Sequence, residues 1–451
     1  MMDQDSSSHV QLPPEILSQI FSLAIPKQHP FQKNSPEVTL SHVSSYWRAA
    51  ALTTSSLWTK IVVFSRRSRP RLKAYLQRSG TRNVDITIDV YRYERRLHVN
   101  NKPWGDKQGA FTAAILEMIL MNMDRIRSLS FLYFSKTNLL RMVVSLYQTR
   151  ALNLQRLEFK YDAEEAFLIP EETDVPGKIW IFEGGGPNLR YLSSDMPTLR
   201  PSVFRNIISL DLNCPSLVGV RLESLIEMIA VPAKLRYLTL RGYVDINPRT
   251  FIQHPIQLEL PHLQGLRLDS GLMAAKFLLS ISAPIVESLW LNCSVHEWDG
   301  FSRFISASPA LPGFSTLKYL TMPNHDLTSI DGIARMFPSI THLHLPHVLN
   351  TIQSARLLNA LTFSWAFVDT IILSMLEDQQ NEHLVTNLKA YVLIRHDHQR
   401  PTSRILVNED QFDKLRRAFE GFPPRAVEVL LLNSTTYTEM WWTKQDQLAL
   451  S

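Results

Sequence analysis

Cysteine is nearly missing from this sequence: Cys214 and Cys293 are the two in 451 residues. A disulfide framework and a thiolate metal site each need more thiols at set spacing, so both are excluded and a reducing compartment is expected. Glycine is scarce at 15 residues and proline is ordinary at 26, which rules out collagen-like and Pro/Gly low-complexity chains. No apolar run approaches the ~18 residues that cross a bilayer. The opening Met1-Met2-Asp3-Gln4-Asp5-Ser6 lacks the basic-then-apolar form of a secretory leader. The expectation is a cytoplasmic or nuclear chain, neither secreted nor membrane-spanning, in which the triplets Asn292-Cys293-Ser294 and Asn433-Ser434-Thr435 go unglycosylated. What is present is ordinary globular material, 45% hydrophobic and 20% charged, in a chain about three times the length typical of one domain. Either several domains or one elongated repeat array fits that length.

The formal charge of +5 is unevenly spread: residues 60 to 107 hold 13 Lys/Arg against Asp85, Asp89, Glu94 and Asp106. The densest stretch is Arg66, Arg67, Arg69, Arg71 and Lys73. It carries no stacking aromatics and no recognition motif, so a solvated linker face is expected there rather than nucleic-acid binding.

One short pattern recurs from residue 126 onward: apolar, two variable, apolar, one variable, apolar. Leu154/Leu157/Phe159, Leu235/Leu238/Leu240, Leu263/Leu266/Leu268, Ile340/Leu343/Leu345 and Val427/Leu430/Leu432 are examples. Leu189/Leu192, with Ser194 third, and Leu388/Tyr391/Leu393 are weaker copies. Their mean spacing is about 27 residues, the scale of one supersecondary unit. The last two apolar positions are two apart, so a strand points both to one face. Stretches of helical spacing, such as Leu140/Val143/Val144/Tyr147, Phe301/Phe304/Ile305 and Phe412/Leu415/Ala418/Phe419, lie between copies. A strand plus a helix cannot bury its apolar side alone, so neighbours must stack. The pattern resembles leucine-rich repeats, which implies an irregular solenoid over 108–451 with parallel strands concave, helices convex and a C-terminal cap. Val84/Ile86/Ile88/Val90 alternates strictly and is read as the first edge strand or cap, within a basic linker segment spanning 65–107.

Residues 11–64, behind a disordered tail at 1–10, follow another logic. Leu12-Pro13-Pro14-Glu15 opens a helix carrying Ile16, Leu17, Ile20, Phe21 and Ala24 as an apolar stripe. A proline-rich loop follows from Pro26 to Pro36. A second helix is expected from about Glu37 to Leu52, then a short element opening on Leu57-Trp58 and ending in Ile61-Val62-Val63-Phe64. These segments, with Val43-Ser44-Ser45-Tyr46-Trp47-Arg48, resemble the F-box, in a version common among basidiomycete fungi. Ser44-Ser45 departs from it, standing where the family usually has a cysteine and a charged residue. The resemblance implies docking on the Skp adaptor, and through it on a cullin scaffold, with Leu12, Pro13, Ile16, Leu17, Ile20 and Phe21 as contact candidates. Trp47 and Trp58 are read as knitting the module together.

Catalytic signals are weak. Gly184-Gly185-Gly186 precedes Pro187 without the Lys-Ser/Thr of a phosphate loop, so a turn is expected. His342, His344 and His347 lack a carboxylate or thiol at ligand spacing, and His396-Asp397-His398 sits in a polar stretch read as a loop. The chain is therefore read as a non-enzyme that needs no cofactor or metal. The resemblance makes it a substrate receptor of an SCF-type ubiquitin ligase, holding a target protein on its repeats. A Skp-bound scaffold without ligase output, or a nucleic-acid-binding repeat protein, is the alternative. Tyr237, Arg241, Arg267, Trp290, Tyr319, His342 and His344 point outward in the repeat frame and are the target-binding candidates. The outward positions of the last units, Thr370, Ile372, Ala390, Val392, Val429 and Leu431, are largely apolar. Either the tail holding Trp441 and Trp442 or a partner should cover them.

Overall fold

The computed structural model describes residues 12–24, 35–64, 68–89, 105–134, 136–161, 179–195, 199–201, 204–214, 222–242, 258–269, 271–292, 314–322, 330–346, 357, 360–361, 365, 367–373, 381–400, 403–423 and 426–432. The architecture is mixed α/β, with a small N-terminal helical region and long parallel ladders. Two compact units divide the chain, one built on Met1–Ile169 with Ile179–Leu189, the other on Arg190–Arg200 with Phe204–Ser451. Among the described residues, no helix is long and apolar enough to cross a membrane.

The first unit opens with α1 (Pro14–Ala24), where proline at the first helical position costs no hydrogen bond and Glu15 faces the positive end of the dipole. The single second helix expected from the sequence is two: α2 (Pro36–Ser41) and α3 (Ser45–Thr53). Ser44 causes the break. It is extended at φ −157°, ψ 169°, and its Oγ accepts from the Trp47 amide at 3.1 Å, capping a new helix. The serine that departs from the F-box pattern thus has a local task. A 3₁₀ turn at Ser55–Trp58 leads directly into strand β1 (Lys60–Val63).

β1 corrects a second expectation. It pairs in parallel with β2 (Val84–Asp89), so the apolar run Ile61-Val62-Val63, and not the 84–90 stretch, forms the outer strand of this ladder. The stretch between them, expected to be linker, holds α4 (Arg69–Arg78) with Leu72, Tyr75 and Leu76 buried. Val90, Arg66 and Arg67 lie outside the described residues. After α5 (Gly105–Leu120), β3 (Ile126–Phe134), α6 (Lys136–Ser145) and β4 (Arg156–Tyr161), the ladder runs β1-β2-β3-β4, all parallel. Leu129, Phe131, Leu157 and Phe159 point inward and are fully buried, with Phe131 and Phe159 stacked at 5.5 Å. A register shift bulges β3 at Tyr133, which takes φ 60°. The Gly184-Gly185-Gly186 stretch is a turn: Gly185 sits at φ 97° and its carbonyl accepts from the Ala151 amide, while a side chain on Gly184 would press on the Arg150 Cβ.

The second unit holds a ladder of ten parallel strands among its described residues. They are β5 (Tyr191–Ser194), β6 (Ser209–Cys214), β7 (Tyr237–Gly242), β8 (Gly265–Asp269), β9 (Ser288–Leu291), β10 (Tyr319–Thr321), β11 (His342–Leu345), β12 (Thr370–Leu373), β13 (Ser403–Val407) and β14 (Val427–Leu431). Each pairs with the next in sequence order. The connections hold α7 (Leu222–Ile229), α8 (Gly271–Ser280), α9 (Ile330–Met336), α10 (Asn381–Asp397) and α11 (Glu409–Ala418), of which α8 packs on β8 and α11 on β14. The pattern leucines form one stacked inward row in register: Leu192, Leu210, Leu238, Leu266, Leu289, Leu320, Leu343 and Ile371, each at most 2% exposed. Phe301, Phe304 and Ile305 lie outside the described residues.

Two copies differ from the sequence reading. Leu388/Tyr391/Leu393 is no strand but part of α10, where Leu388, Tyr391, Val392 and Arg395 fall at helical spacing and are buried while Leu393 is 46% exposed. The strand of that unit is β13, with Ile405 and Val407 inward. In β14 the register pairs Ile405 with Val429 and Val407 with Leu431, so these two face inward and Leu430 outward, one residue off the pattern.

Candidate functional site

The stripe of α1 divides into two faces. Leu17 and Phe21 turn into the module, 2% and 0% exposed, with Phe21 against Trp47 at 5.1 Å between ring centres. They are core, a correction to the contact set read from sequence: i, i+4 spacing groups them on a side roughly a third of a turn round from the free one. Leu12, Pro13, Ile16 and Ile20 are exposed. Leu23, 86% exposed and one turn beyond Ile20, extends this set, although the sequence reading passed over it. Val43, in the turn between α2 and α3, is exposed as well. Aliphatic side chains left partly in water each forgo a fraction of the about 1.5–3 kcal/mol that full burial gives, and several together form the kind of exposed apolar patch found at interaction surfaces. Tyr46 Oη donates to the Leu12 carbonyl at 2.7 Å and fixes the entry strand beside α1.

Trp58 is fully buried beneath this surface, its Nε1 donating to the Ala51 carbonyl at 2.9 Å. It meets Tyr75 of α4 edge-on at 4.9 Å, and the Arg78 guanidinium lies over it at 4.5 Å. Tyr75 donates to Glu37 of α2, and Arg71 reaches Ser35, Tyr75 and Glu37. Burial first, then the Glu37 carboxylate, pushes the Tyr75 hydroxyl up to about 12. Arg71, in the basic run expected to be solvated, is therefore a latch between α2 and α4.

The second candidate surface is the outward side of the second unit's ladder. Its register makes two rows. Ser209, Tyr237, Gly265, Ser288, Tyr319, His342 and Thr370 form one. Asp211, Thr239, Arg267, Trp290, Thr321, His344, Ile372, Leu406 and Leu430 form the other. Tyr237, Trp290 and Tyr319 therefore form no continuous aromatic band, since Gly265 and Ser288 separate Tyr237 from Tyr319 and Trp290 stands in the neighbouring row. Arg267 lies over Trp290 at 4.2 Å while its Nε bonds Asp269 at 3.1 Å, and Tyr319 meets His342 at 4.5 Å. Arg241 pairs with Asp211. Burial alone would favour its neutral form, but Asp211, Asp269 and Asp195 overrule that and hold the guanidinium firmly charged.

Among the expected target residues, Arg241, Arg267, Trp290, Tyr319 and His342 are half-buried, while Tyr237 and His344 are buried at 9% and 3% exposure. Tyr237, Ile372 and Leu406 belong to one apolar cluster, with Ile208, Trp290, Leu430 and Leu432 packed against it. Ala390 and Val392 drop out of the outward set because they are helical, and Val429 and Leu431 because they face inward. His347, Trp441 and Trp442 lie outside the described residues. Among the described residues, no three His, Cys, Asp or Glu side chains gather as metal ligands. His396 and Asp397 end α10 rather than lying in a loop, and His398 follows in the turn.

A small helical module with a free aliphatic face, followed by parallel strand–helix units, defines a protein-interaction adaptor. Comparison with known families agrees for the module: residues 9–63 match the F-box-like family. The match ends where β1 ends. F-box proteins are typically non-enzymatic adaptors that bind Skp. No curated protein matches this chain.

Proposed function

We propose that this chain is the substrate receptor of an SCF-type ubiquitin ligase. Its F-box docks on the Skp adaptor, and its strand–helix units, read as an irregular leucine-rich-repeat solenoid, hold a target protein. The free aliphatic face Leu12, Pro13, Ile16, Ile20 and Leu23 on a family-matched module carries the reading. The chemistry it asks of this chain is positional. Holding the target beside a ubiquitin-charged enzyme raises its effective concentration, and no side chain here need enter the transfer. Arg267, Trp290 and Tyr319 offer the aromatic and guanidinium surface on which interface energy concentrates.

The test is co-purification from cells. Ile16→Asp with Ile20→Asp should remove Skp and cullin together and leave the melting temperature nearly unchanged, since both side chains are exposed. Retained Skp in that variant defeats the docking face. Skp recovered without cullin from the unaltered chain makes the protein a scaffold instead.

A further inference from the structure

The side-on edge of an arginine, Nε with Nη2, matches two oxygens of one oxyanion. Arg127 of β3 uses both positions on the Asp85 carboxylate, at 3.0 and 2.6 Å. Arg71 of α4 uses half of the same edge. Its Nη2 donates to the Ser35 hydroxyl and to Tyr75 Oη, while its Nε is buried with no hydrogen-bond partner among the described residues. Glu37 does not complete the edge: it accepts from Tyr75, and its carboxylate stands off Nη2 at 3.6 Å. A buried donor left without an acceptor costs free energy, so this edge suits an oxyanion that the unmodified chain does not supply.

We propose that the Ser35 hydroxyl is a phosphorylation site whose phosphate the Arg71 fork takes up, clamping α2 to α4. Three observations place the acceptor there. Ser35 Oγ already lies on Nη2, so a phosphoryl group bonded to it is delivered beside Nε. Pro36 follows directly and holds Ser35 out of the helical region, at φ −65°, ψ 126°, giving a half-buried Ser-Pro pair in the extended form that a proline-directed kinase reads. The sequence has one other such pair, Ser308-Pro309. The surroundings also favour an anion, with 13 Lys/Arg against four acids over residues 60–107. A phosphate brings a charge of about −1.5 to −2 and three strong acceptors to this place. The side chain of Arg71 is 27% exposed, which leaves it room to draw back by the length of the added group. In the transfer, Ser35 Oγ attacks the γ-phosphorus of the kinase's ATP and the new O–P bond replaces the one to the bridging oxygen. ADP leaves with that electron pair, and the hydroxyl proton passes to the kinase's base. With six residues α2 adds little field of its own, so Arg71 is the reader.

The full-length chain, carrying Ser308→Ala and incubated with ATP and a proline-directed serine/threonine kinase, should gain a phosphate at Ser35 while folded, as mapped by mass spectrometry. On the phosphorylated chain the second ionisation of the phosphate, followed by its phosphorus NMR shift, should be about tenfold stronger folded than after unfolding in urea, because the guanidinium favours the dianion. Removal by a phosphatase should be about tenfold slower than in Arg71→Gln. Arg71→Lys, which keeps the charge without the fork, should fall between the two. The ionisation comparison needs no change at Arg71, so it decides the matter should the Arg71 variants fold poorly. A folded chain that the kinase leaves unmodified at Ser35 overturns the proposal. So does a phosphate that ionises alike folded and unfolded, or one removed equally fast with and without Arg71.

Discussion

Leu238 and Leu266 sit one above the other in the inward row, wholly buried, with neighbours on both adjoining strands. Truncating either to alanine opens a cavity that a stacked row cannot collapse around, and the cost should be about 2–5 kcal/mol. Arg267, one position along, is half-exposed, so Arg267→Ala should lose only the pairing with Asp269 and the contact with Trp290, about 1 kcal/mol. Thermal or urea melts of the three variants separate these values. Two tyrosines make a different prediction. Tyr75 and Tyr391 both have hydroxyls pushed up to about 12, in each case first by burial; Tyr391 donates to the Val368 carbonyl at 2.6 Å. A raised value means that the folded chain keeps a proton which the unfolded chain releases from about pH 10. Their contribution is complete below that pH and falls away between about 10 and 12. Stability should drop there by up to about 1.4 kcal/mol per pH unit for each tyrosine. Melts in Tyr75→Phe and Tyr391→Phe should show a shallower alkaline decline than the unaltered chain.

At the level of elements, Ser44 decides where one helix stops and another begins. Ser44→Ala should cost about 1 kcal/mol and let the first turn of α3 fray, which amide exchange at Trp47 would report. This break was invisible in the hydrophobic pattern because Leu40, Val43, Trp47 and Ala51 keep helical spacing straight through it. The strand array was more legible. Its inward leucines repeat two apart, and burial leaves a strand no freedom to present them otherwise. Legibility failed where two periods coincide. Leu388/Tyr391/Leu393 satisfies the strand template while Leu388/Tyr391/Val392/Arg395 satisfies a helix, and the burial of Val392 with exposure of Leu393 decides for the helix. In β14 both Val429/Leu431 and Leu430/Leu432 are apolar, so the sequence could not choose a face. There the pairing with β13 chooses.

For the whole molecule, two surfaces on separate units imply two separable losses. Ile16→Asp/Ile20→Asp should abolish Skp recovery while sparing target capture. Trp290→Ala/Tyr319→Ala should do the reverse, weakening capture by about 2 kcal/mol, near thirtyfold, as anchors at interfaces do. A variant pair that lost both activities together would mean one shared surface. The exposed aliphatic side of α1 was readable in part: Leu12, Pro13, Ile16 and Ile20 are exposed, whereas Leu17 and Phe21 turn inward and Leu23 was passed over. The outward rows were readable as positions only. How far each is buried depends on contacts between strands distant in sequence, as in the cluster of Tyr237, Ile372 and Leu406, which no local pattern encodes.

The short strand Lys60–Val63 ties these scales together. It ends where the family match ends, yet it hydrogen-bonds along β2 as the outer member of a ladder. A cut at the sequence boundary would therefore not free a clean cassette. Deleting the chain through Val63 would strip the flank of Val84–Asp89 and leave its unpaired amides and carbonyls, beside Ile86 and Ile88, open to other chains. Such a deletion should precipitate or form concentration-dependent fibrils, visible by light scattering, where one that retains Lys60–Val63 stays dispersed. For anyone transplanting this module onto another receptor, the useful seam lies on the far side of that strand.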